Sequence, residues 1–85
     1  MILHLGSDAF VPLSSVVAVL DARAHPEFMA REGDGDVIRI GGQEIKSLVV
    51  TAAGTRRMFF LSPISAQTLR KRAQERISTN EVIQQ

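Results

Sequence analysis

Arg70, Lys71 and Arg72 occupy consecutive positions, and Arg76 follows them in the same stretch of chain. On a helix of 3.6 residues per turn, three successive residues sweep about 200°, so at least two of these cations face away from any apolar stripe. A basic set of this kind can neutralise phosphates and release the counterions of a nucleic acid. Cations near a helix C-terminus also complement the macrodipole and keep the surface solvated, and that plainer reading stays open. Arg56, Arg57 and Lys46 lie upstream and complete the candidate DNA-binding set.

The remaining reactive residue types form no catalytic pattern. Asp34-Gly35-Asp36 has the look of a calcium loop, but no further oxygen ligands and no closing Glu follow in order, so it reads as a turn. His4 and His25 have no second ligand at metal-binding spacing. Ser14, Ser15 and Ser62 have no nucleophile-elbow setting. Gly41-Gly42 joins strand to strand, whereas phosphate-binding glycines open a helix. The chain contains no cysteine, which removes disulfides, thiolate metal sites and thiol nucleophiles. No metal and no cofactor is expected, and the function class is binding rather than catalysis.

The elements that must position the cations follow from pattern. Ile2–Leu5 is a short apolar strand closed by a Gly6-Ser7-Asp8 turn, and Ala9–Val11 is a second strand that stops at Pro12. Leu13-Ser14-Ser15 reads as one helical turn or a loop. The β-branched run Val16–Leu20 reads as a strand. A helix is expected over His25–Glu32, with Pro26 in its first turn, Glu27 and Arg31 at i,i+4 and an end at Gly33.

Val37–Ile40, the Gly41-Gly42 turn and Gln43–Thr51 read as a β-hairpin. A second reversal at Ala52–Thr55 leads into Arg57–Leu61, and the three strands make a meander. Ser62 as N-cap and Pro63 at the first helical position open the last helix, whose apolar stripe is Leu69, Ala73 and Ile77. The tail from Ser78 onward is expected to fray.

Eighty-five residues make one domain with a modest core, so surface shared with a second copy would add stability. The four Phe are the only aromatic residues besides histidine, and the core must be aliphatic. The opening residues lack the features of a signal peptide, and Val16–Leu20 is far shorter than the roughly 20 residues of a membrane helix. The default is a soluble, intracellular domain.

The net charge is +1, but residues 1–54 carry four cations against seven acids and residues 55–85 six against two. That asymmetry fits either a basic face directed at an anion or head-to-tail contact between copies.

Several blocks resemble a known family. They are Leu3–Gly6, Val11–Asp21, Lys46–Thr51, Leu61–Ser65 and Thr68–Arg72. In this order they are similar to the small bacterial extracellular matrix regulators, RemA and RemB, and closer to the RemB branch. The resemblance spans the chain apart from residues 22–36 and the tail.

It implies a cytoplasmic, non-enzymatic, DNA-binding transcriptional regulator of biofilm-matrix genes. It also implies an α+β subunit shaped like a LytTR domain: a small antiparallel sheet with a β-meander, a short middle helix and a C-terminal helix. Residues 1–78 would form that domain, residues 79–85 the frayed tail, and copies would assemble into a ring. Head-to-tail contacts close into a ring when the rotation permits.

RemA-like chains carry an Arg-rich turn before the strand that matches Lys46–Thr51. Here that turn is Gly41–Lys46, with Gln43 and Glu44 in place of cations, and Ser15 stands at another basic position of the pattern. The expected DNA contacts therefore fall to Lys46, Arg56, Arg57, Arg70, Lys71, Arg72 and Arg76. The alternative is a structural or adaptor oligomer that does not bind DNA and whose basic helix serves protein contacts.

Overall fold

Strand-forming residues and tight turns build two sheets, and one long helix packs across them. The computed structural model describes the backbone of residues 1–84 and the side chains of residues 1–75. In chain order the elements are β1 (Ile2–Gly6), β2 (Ala9–Pro12), β3 (Val16–Asp21), α1 (Pro26–Met29), β4 (Val37–Arg39), β5 (Ser47–Ala53), β6 (Arg56–Ser62) and α2 (Ala66–Gln84). Single 3-10 turns at Leu13–Ser15 and Ala22–Ala24 lead into and out of β3. The protein is a small α+β domain.

β1 and β2 form an antiparallel ribbon of their own, turned by Gly6 at φ 113° and Ser7 at φ 48°. Any side chain at Gly6 would also bring its Cβ to 3.0 Å from Pro63 Cγ, so both sterics and conformation require glycine there. The other four strands form one sheet in the order β3-β5-β6-β4. β5 is antiparallel to β3 and to β6, and β4 runs parallel to β6.

The expected meander is therefore corrected. The β5–β6 hairpin stands, closed by a two-residue turn with Gly54 at φ 62°, which fits type II′. The Gly41-Gly42 hairpin does not form, and β6 lies between β4 and β5. Val37–Arg39 pairs instead with Phe59–Leu61, so that Val37 shares a core with Phe59 and Leu61.

Residues 41–46 straddle the end of β6. The Ile40 N–H donates to Leu61 O at 2.9 Å and the Lys46 N–H donates to Ser62 O at 2.8 Å. The Arg39 guanidinium donates to the carbonyls of Gly41 and Gln43, at 3.4 and 2.6 Å, and so satisfies groups inside the loop. Gln43 and Glu44 have no apolar alternation with which to compete for a place beside β4.

The two faces of this sheet carry two cores. On one, Val49 packs with Leu3, Leu5 and Val11 of the ribbon, Ile40 and Leu69 of α2, with Val19 and Phe60 at its border. On the other, Leu48, Val50 and Leu61 pack with Ala22, Val37 and Ile45, and Phe28 and Met29 of α1 close over them. Cross-strand sets such as Val19, Val49 and Phe60 alternate with Leu20, Leu48 and Leu61, as a period of two demands.

Two boundaries also differ from expectation. The middle helix is a single turn, Pro26–Met29. Arg31 does not reach Glu27; its guanidinium lies 5.5 Å over the Phe28 ring and 3.5 Å from Asp34, which holds residues 31–34 in turns. α2 starts at Ala66 with Ser65 as its cap: the Thr68 N–H donates to Ser65 Oγ at 3.2 Å. Ser62 ends β6, where its hydroxyl donates to Leu5 O at 2.6 Å and accepts from the Ile64 N–H at 3.1 Å.

Candidate nucleic-acid interface

The cations expected to touch DNA are held by three different parts of the fold. Lys46 precedes β5, at the end of the sheet where Ser47 pairs with Ser62 and where α2 begins. Arg56 and Arg57 flank the hairpin turn at the other end, opposite Ala53 and Ala52. Six strand steps of about 3.3 Å separate the two ends, roughly 20 Å. Because side chains alternate, Arg56 projects on the side of the ribbon and α2, and Arg57 on the side of α1.

Within α2, Ala66 and Leu69 are buried and Ala73 is half-buried. Arg70 sits beside that stripe and turns its guanidinium onto the sheet. Nε and Nη2 donate to Val19 O, at 3.1 and 2.5 Å. β3 is an edge strand, and this carbonyl points away from β5; Arg70 therefore closes an open edge position and fastens α2 to the sheet.

Lys71 and Arg72 stay exposed. Neither they nor Lys46, Arg56 and Arg57 form an ion pair among the described residues. The side chain of Arg76 lies outside the described residues.

An open cleft of about 530 Å³ lies where Lys46 meets the start of α2. Its wall includes Asp21, Arg23, Glu44, Lys46, Gln67 and Arg70. Asp21 accepts from the Arg23 side chain, at 3.2 and 2.9 Å, and from the Arg23 backbone N–H at 2.9 Å. These hydrogen bonds, aided weakly by the Arg23 and Arg70 charges, hold the Asp21 carboxyl at about 2, and the Arg23 guanidinium is pushed up in return. Two carboxylates thus share the cleft with three cations, and one of those cations is neutralised within it.

Sequence reasoning grouped Arg70 with Lys71 and Arg72, since nothing in a run of three cations marks the one that folds inward. The one signal lay outside the run, in its neighbour Leu69, which is buried in α2 along with Ala66. The cleft itself, formed by residues 21–23, 44–46 and 65–70, was not anticipated.

Among the described residues there is no group of three or more His, Cys, Asp or Glu able to hold a metal ion, and no helix is long and apolar enough to cross a membrane. No family model matches the chain. Among curated proteins it is similar to the extracellular matrix regulatory protein B of Bacillus subtilis (strain 168), with 34% identity over 79 residues, 87% of this chain and 91% of that protein.

Proposed function

We propose, from the premise that this chain belongs to the extracellular matrix regulatory protein family and to its RemB branch, that it is a non-enzymatic DNA-binding regulator of matrix genes. It acts in the cytoplasm as a ring-like homo-oligomer of LytTR-like subunits and holds DNA mainly by the phosphate backbone. The observation that carries this reading is the set of exposed cations without ion pairs among the described residues: Lys46, Arg56, Arg57, Lys71 and Arg72. One copy separates Lys46 from the two hairpin arginines by roughly 20 Å. Repetition around a ring turns such scattered points into a continuous basic track, which suits phosphate contact and carries no base readout.

Binding to a long duplex, followed by gel shift and anisotropy at low salt, tests the reading. The protein should retard DNA, and replacing Lys71 and Arg72 together by Ala should lower the salt slope by about 0.9 for each phosphate that is no longer neutralised. Absence of any shift at low salt refutes DNA binding.

The second reading, an adaptor oligomer that ignores DNA, is favoured by Glu44, which shares the cleft with Lys46, and by the internal use of Arg70. It predicts that the same double variant lowers the oligomer mass.

A further inference from the structure

The ribbon of β1 and β2 covers the sheet with one face only. Leu3, Leu5 and Val11 point inward and are buried. The alternate residues Ile2, His4, Phe10 and Pro12 form the outer face, with Ile2 opposite Pro12 and His4 opposite Phe10. Ile2 is 49% and Phe10 55% exposed, and the His4 ring stacks on Phe10 at 4.7 Å between centroids. His4 Nε2 donates to Ser7 O at 2.7 Å, which holds the ring flat against that face. No Asp, Glu, Lys or Arg lies on it. An uncharged apolar face of this kind does not suit a polyanion, so it stands apart from the proposed DNA contacts.

The surroundings of the face say what covers it. At one end lies the Gly6–Asp8 turn, with Asp8 exposed. At the other end, Pro12 passes through the 3-10 turn Leu13–Ser15 into Val16, which pairs with Thr51 near the hairpin that carries Arg56. Arg56 projects on the ribbon side of the sheet. The neutral face, roughly 13 Å of strand long, therefore has an acid at its turn end and, beyond Pro12 and the 3-10 turn, a base on the ribbon side of the sheet. A second copy turned by a two-fold axis through the face sets apolar against apolar. The same rotation sets each Asp8 toward the other copy's Arg56.

The edges of the large sheet offer no easier route. Arg70 blocks Val19 O on β3, and the loop before β4 takes both polar groups of Val37: Gly33 N–H donates to its carbonyl and its N–H donates to Asp34 O.

We propose that the outer face of the β1–β2 ribbon is an isologous docking surface for a second copy of this chain, packed through Phe10 and Ile2 and oriented by reciprocal Asp8–Arg56 pairs. This contact goes beyond the ring reading. It is two-fold and self-complementary, whereas ring closure uses two different patches. It forms without DNA, and because Arg56 also belongs to the proposed DNA contacts, DNA competes with its orienting pairs. The face is smaller than the roughly 800 Å² per partner of a typical stable complex, so the contact is weak and reversible.

Sedimentation equilibrium without DNA, from about 1 μM to about 1 mM, tests it, the range being set by that small footprint. The wild type should double its mass reversibly, whatever mass it starts from. Phe10→Asp, and separately Asp8→Arg, should weaken the doubling at least tenfold while the far-ultraviolet circular dichroism is unchanged. Asp8→Arg combined with Arg56→Asp should restore it, a rescue that a merely misfolded protein cannot give. A wild-type mass that is flat with concentration overturns the proposal, as does a charge-swapped protein no better than Asp8→Arg alone. A ring that binds DNA yet never doubles would sink this interface and leave the proposed function standing.

Discussion

The β5–β6 pair ends in two contrasting ways. At the Ser47–Ser62 end, both residues are fully buried and every hydroxyl is used: Ser47 donates to Ile64 O, and Ser62 joins Leu5 O to the Ile64 N–H. At the Ala53–Arg56 end, the chain reverses in two exposed residues, Gly54 and Thr55, and leaves Arg56 and Arg57 in solvent. The arginines follow the same division, while Lys46 at the serine end stays exposed and forms no ion pair among the described residues. Near the serine end, Arg23, Arg39 and Arg70 are bound to Asp21, to loop carbonyls and to Val19 O. At the hairpin end they have no ion-pair partner among the described residues. Structure is made where polar groups are consumed, and charge remains available where a turn needs only a glycine.

The sharpest way to break this contrast is to remove one atom at the serine end and add one at the hairpin. Ser62→Ala strands the buried Leu5 carbonyl and takes the acceptor from the half-buried Ile64 N–H, a loss of about 1–3 kcal/mol. Gly54→Ala meets nothing within 4 Å, so its cost is only that of holding an L-residue at φ 62°, about 1 kcal/mol. Urea denaturation of both variants checks the order. Equal losses would mean that the buried hydroxyl adds nothing beyond its turn.

The same contrast explains what could be read from the chain. Strands β1, β2, β3, β5 and β6 were legible because each has its own apolar run and turn, and Gly54 placed the true hairpin. The position of β4 was not legible. Gly41-Gly42 has the local chemistry of a two-residue turn, but strand partners are chosen by non-local packing, and Phe59–Leu61 offered Val37 a buried place that Gln43 and Glu44 could not. The helix cap was missed for a related reason: Ser62-Pro63 and Ser65 are both plausible starts, and the buried bond from Ser62 to Leu5, distant in sequence, decided between them. Of the candidate site, the cations were legible as types. Which of them the fold consumes depends on the edge of β3, a feature with no local signature.

Arg70 and Arg56 sharpen the division at a smaller scale. Arg70→Ala frees an edge carbonyl and loosens α2, a loss of about 1 kcal/mol. Arg56→Ala breaks no ion pair among the described residues and should stay within about 0.5 kcal/mol. DNA affinity should respond in a different order: Arg56→Ala weakens it with a flatter salt slope, whereas Arg70→Lys keeps the charge and loses the fork on Val19 O. Melting curves set beside salt-dependent anisotropy separate the two. If Arg70→Lys melts like the wild type, the guanidinium is not fastening the helix, and Arg70 rejoins the free cations.

The smallest expected effect belongs to Asp21, whose ion pair with Arg23 lies in solvent at the serine end. Its carboxyl sits at about 2 in the folded protein against an ordinary 3.8, so folding favours the ionised form. A depressed carboxyl contributes stability that is fully present above its unfolded value and is lost as the pH falls from about 3.8 through 2. Asp21→Asn keeps an oxygen that can accept the Arg23 N–H and removes only the charge. The wild type should therefore be the more stable of the two at neutral pH, and the gap should close between about pH 4 and pH 2, and also with added salt, because exposed pairs are screened. Thermal melts of both proteins across that range are the measurement. Parallel profiles would show that the charge of Asp21 adds nothing to the fold.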